Sequence, residues 1–70
     1  MTGNTDASEA AQLSSISSAL EELTSRIGAV AERYDGTARA DVASDLYDVE
    51  RALRAATRRL AKVQLSLVGK

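Results

Sequence analysis

The chain has 70 residues, with nine Lys or Arg, ten Asp or Glu, and no His, Cys, Pro or Trp. That length supports one small domain, which buries only about 60% of the surface its unfolded form exposes. Without Cys or His, disulfides are excluded and a structural metal is not expected, so oligomerisation is the remaining route to a stable core.

The net charge of −1 favours no class of ionic partner, but its distribution is uneven. Residues 1–35 carry Asp6, Glu9, Glu21, Glu22, Glu32 and Asp35 against Arg26 and Arg33, whereas residues 36–70 carry an excess of bases. The two halves are electrostatically complementary. Met1 to Asp6 lack the basic and apolar stretches of a signal peptide. No apolar run approaches the roughly 20 residues of a membrane span. The absence of Cys fits a reducing compartment, and a cytoplasmic location is expected.

A first helix is predicted over about residues 7–34. Leu13, Ile16, Leu20, Leu23, Ile27, Val30 and Tyr34 recur at alternating steps of three and four, the spacing of a heptad seam. Asp6 with Glu9 three residues on forms a candidate capping box. The run Ser14-Ser15-Ile16-Ser17-Ser18 is poor helix material, because its hydroxyls compete for backbone hydrogen bonds, so this helix depends on packing.

A turn is predicted at residues 35–37. Gly36 can take the left-handed conformation that ends a helix, and Thr37 can cap the next one. So short a connection makes the two helices antiparallel neighbours.

A second helix is predicted over about residues 38–67, with the seam Val42, Leu46, Val49, Leu53, Ala56, Leu60, Val63 and Leu67. Its acids lie in the first half and most of its bases in the second, an order that complements the helix dipole. Folding about Gly36 pairs the seams layer by layer, from Tyr34 with Val42 to Leu13 with Val63. The expected fold is therefore all-α, an antiparallel two-helix hairpin forming a single domain over residues 1–70, with residues 1–6 and 68–70 frayed.

Two helices shield only one side of each seam. The flanking residues Ala19, Thr24, Ala31, Ala43, Ala52 and Thr57 are small, so they are the candidate self-association surface, through which a homodimer would complete a four-helix bundle of Rop-like architecture.

The catalytic inventory is thin: there is no His for acid–base work, no Cys nucleophile, and no base beside the Ser cluster. Glu21/Glu22 and Asp41/Asp45/Asp48 lie at flanking or outer positions, unlike the inward carboxylates of a bundle metal site. Catalytic, cofactor and metal sites are not expected. The candidate partner-binding surface is the outer side of the second helix, where Tyr47, Arg51, Arg54, Arg58, Lys62 and Leu65 fall within about 80° of one another. Its leading reading is a face presented to another helical protein and left outside the self-association surface. Nucleic-acid binding by the same bases is the alternative.

The bend Tyr34-Asp35-Gly36 is similar to the Trp-x-Gly bend of the small type VII-secreted helical hairpins. The chain departs from them in its shorter length, its lack of Trp, and Arg51 standing where an acid would complete a Tyr-x-x-x-Asp/Glu signal from Tyr47. The resemblance covers one turn and places the chain in no family. The Ala-, Arg-, Asp- and Val-rich, Lys-poor composition looks like that of a high-GC bacterial genome.

Overall fold

A computed structural model describes the backbone of residues 2–68 and the side chains of residues 5–68. Helix α1 spans Thr2–Tyr34 and helix α2 spans Ala40–Val68. They pack against each other as an antiparallel hairpin.

Helix α1 begins before the expected Asp6 cap, and its backbone runs through Asp6 as helix interior. No proline stands in the way, and extending a helix that is already nucleated adds one hydrogen bond per residue fixed. Residues 2–6 and Val68, where fraying is expected, have helical backbone. Met1, Gly69 and Lys70 lie outside the described residues.

The bend forms where Gly36 takes φ +76°. Before it, the Asp35 N–H still donates to the Ala31 carbonyl at 3.0 Å, and after it the Thr37 N–H donates to the Tyr34 carbonyl at 3.1 Å. The Thr37 hydroxyl donates to that same Tyr34 carbonyl at 2.5 Å and accepts from the Arg39 N–H at 3.1 Å. It thereby satisfies one of the free donors at the start of the next helix. A short turn, with the Ala40 N–H on the Thr37 carbonyl at 3.2 Å, delays α2 to Ala40.

The contact between the helices differs from the expected pairing of large apolar layers. The deeply buried residues are small: Ala10, Thr24 and Ala31 on α1, and Ala43 on α2. Ser17 completes the first column at seven-residue spacing and is half-buried, as are Glu50, Thr57 and Gln64 in the column that continues from Ala43. Buried Thr24 and half-buried Thr57 turn their hydroxyls back to the carbonyls of Leu20 and Leu53, at 2.6 and 2.8 Å, so neither is left unsatisfied.

Small side chains let the two backbones approach closely, so the helices rotate toward these columns. The seams predicted to close on each other are turned to one side of the contact. Leu13, Leu20, Ile27, Leu46, Leu53, Leu60 and Leu67 border it half-buried. Ile16, Leu23, Val49 and Val63 stand 43–47% exposed, and Tyr34 is exposed as well.

The outcome is a ribbon one helix thick, with Cα extents of 57 × 14 × 10 Å. Its radius of gyration, 16.2 Å, exceeds the value of about 11 Å for a compact domain of this length. Among the described residues no large side chain is fully buried.

Candidate functional site

The ribbon has two broad faces. One is the apolar face just described, which extends along both helices from Leu13 to Val30 and from Val42 to Leu67. No charged side chain falls in either seam over those spans. Among the described residues, no helix is long and apolar enough to cross a membrane.

The opposite face is polar and holds an open groove of about 720 Å³. Glu21, Ser25 and Glu32 on α1 and Glu50, Arg54 and Arg58 on α2 line its sides, and Gly28 lies on its floor. Gly28 presents bare backbone there, and the Glu50 carboxylate lies across it. Glu50 is the most enclosed charge in an ion pair, with its side chain 17% exposed, and Arg54 Nη2 meets its Oε2 at 2.5 Å. Heptad reasoning on large apolar residues missed this groove. The signal for it was a lone Gly28 inside an otherwise uninterrupted helix, which marks a close approach.

The six candidate partner-binding residues do not form one uniform solvent stripe. Tyr47 is half-buried and faces the bend end of α1. Enclosure raises its phenol pKa, and the neighbouring Asp35, Glu32 and Glu50 carboxylates add to the rise. Arg54 and Arg58 line the polar groove. Arg51 is held by Asp48 and Arg54 by Glu50, one turn back in each case. Arg58 and Lys62 make no ion pair among the described residues, and Leu65 is 67% exposed. All of the stripe but Tyr47 is exposed, and its cations without an ion pair, Arg58 and Lys62, lie toward the C-terminal half of α2.

The small flanking residues divide in the same way. Thr24, Ala31 and Ala43 are buried, and Thr57 is half-buried, inside the single hairpin. They serve the contact between its own helices, and Thr24, Ala31 and Ala43 are covered by it. Ala19 and Ala52 are exposed.

At the bend, Arg39 grips Asp41 through two hydrogen bonds of 3.1 Å. This pairing holds the Asp41 carboxyl below its ordinary range and raises Arg39. Both side chains are largely exposed, so the pair adds little to stability. Among the described residues, no group of three or more acids converges as a metal-binding set. Compared with protein-family models, curated proteins and solved structures, the chain shows no significant match.

Proposed function

We propose that the chain is a non-enzymatic assembly or interaction module, a self-associating helical hairpin that presents the basic side of α2 to a protein partner. One observation carries this reading: the long apolar face left open by a ribbon one helix thick. Monomeric soluble proteins rarely expose a contiguous apolar surface of this kind. A second helical layer would remove it from water, at about 25 cal/mol for each Å² covered. Two hairpins closing a four-helix bundle is the simplest arrangement that does so.

Sedimentation equilibrium at micromolar concentration tests the self-association. A mass above one chain is expected, and a folded monomer at every concentration overturns the reading.

The partner-facing surface is centred on Arg58, Lys62 and exposed Leu65. Charge alone does not call for a leucine there, and an apolar side chain beside bases suits a protein contact. Neutralisation of Arg51 by Asp48 and of Arg54 by Glu50 further disfavours nucleic acid, whose affinity depends on cations able to replace counterions. Cross-linking in the native host should capture a protein that Arg54→Glu/Arg58→Glu releases. Retention of RNA or DNA at about 50 mM salt, lost steeply as salt rises, would select the nucleic-acid alternative instead.

A further inference from the structure

The charges around the apolar face determine how a second copy can lie on it. The bend half of the hairpin, residues 28–50, holds Glu32, Asp35, Asp41, Asp45, Asp48 and Glu50 against only Arg33 and Arg39. The open half is basic: Arg26 and the bases from Arg51 to Lys62 outnumber Asp6, Glu9, Glu21 and Glu22. The molecule is therefore polarised along its length. Stacking two copies with their bends together would crowd the acidic ends, whereas opposite bends set each acidic end over a basic one.

The edge of the face repeats this polarity. Asp45, Ala52 and Arg59 form an exposed column at seven-residue spacing on α2, each four residues before Val49, Ala56 and Val63 of the apolar seam. If α2 lies antiparallel on a second α2, centred near Ala52, Asp45 of each copy faces Arg59 of the other. Small Ala52 then lies midway between the two Asp45–Arg59 pairs along this edge.

The apolar face, about 38 Å long from Val42 to Leu67 at helical rise and 14 Å across, has a footprint of about 500 Å² on each copy, so a pair covers about 1,000 Å², the least that a specific interface needs.

Resting on the self-association proposed above, we infer that the apolar face seats a second copy of the chain with its bend at the opposite end, α1 on α1 and α2 on α2. All four helices then have antiparallel neighbours. The interface is the large apolar seam, and of the small flanking residues Ala52 lies at its edge.

Spin labels on Ala38→Cys, an exposed bend position in a chain without other cysteines, test this directly. The rise of α2 on either side of Ala52 sets an interchain distance of about 40 Å. Bends at the same end would bring the labels within about 20 Å, given interaxial separations near 10 Å. That result overturns the arrangement and leaves self-association standing. A chain that shows no dipolar coupling at any concentration removes both.

A charge exchange supplies an independent check. Asp45→Arg should weaken the dimer by roughly tenfold, the size of a strong edge pair. Adding Arg59→Asp should restore it. With the bends together, Asp45 would face Arg33 of the second copy. Rescue by Arg33→Asp in place of Arg59→Asp, or an unchanged dissociation constant, therefore overturns the inference.

Discussion

The Glu50 carboxylate rests over the backbone of Gly28, so close that a β-carbon at residue 28 would sit 2.9 Å from its Oε2. This relationship sets the two helices at a common height, with Gly28 level with Glu50. It also lets a carboxylate with little exposure keep its ion pair to Arg54 at 2.5 Å.

Substituting Gly28 sets two effects against each other. Ala is the better helix former by about 1 kcal/mol, while the group in the way is the flexible end of a glutamate, which moves cheaply. Gly28→Ala is therefore expected to stabilise the hairpin by up to about 1 kcal/mol in urea denaturation. Gly28→Leu should destabilise it, because its longer side chain must expel Glu50 from the groove and break the pair with Arg54.

The helix contact itself is tested at Ala31, which is 0% exposed. A larger side chain has no room between the backbones, so Ala31→Leu should cost about 1–3 kcal/mol by overpacking. The control Ala29→Leu, two residues away and exposed, should stay within about 0.5 kcal/mol of the parent in thermal melts followed by circular dichroism. Equal effects at the two positions would contradict the close packing at Ala31.

At the bend, a β-carbon on Gly36 would meet nothing within 4 Å, yet the residue has φ +76°. The penalty for Gly36→Ala is therefore one of backbone conformation alone, about 1–2 kcal/mol. Gly36→Asn should lose less, since Asn enters the left-handed region more readily. Denaturation midpoints of the three chains should rank Gly, Asn, Ala.

Tyr47 makes stability depend on alkaline pH. Its phenol pKa is raised in the folded state above the ordinary value of 10.0, by enclosure first and then by Asp35, Glu32 and Glu50. The folded chain thus favours the neutral phenol. The resulting stabilisation is complete below pH 10 and is lost as the pH climbs through the raised folded value. Comparing urea melts from pH 8 to pH 11, the parent should lose stability relative to Tyr47→Phe only at the alkaline end. Parallel profiles would show that the phenol experiences no such environment.

The extent of each prediction from sequence follows from what each signal measures. Alternating steps of three and four residues marked both helices and the apolar side of each, because a helix turns by a nearly constant angle per residue. The Gly36 bend was legible because few residues other than glycine enter the left-handed region, and the Thr37 cap because a hydroxyl there can satisfy a free N–H. The groove over Gly28 was not legible, since a glycine in a helix announces a close approach without naming what comes close.

By itself, the sequence determined that there are two helices, that they are antiparallel, and which large residues are apolar together. Only the tertiary structure decided which side of each helix meets the other. Heptad spacing defines a seam but leaves its rotation about the helix axis free within the width of the apolar and small-residue surface. Close approach through Ala10, Thr24, Ala31 and Ala43 settles that rotation, because small side chains bring the two backbones into contact. The same rotation turns Ile16, Leu23, Val49 and Val63 outward onto one open face.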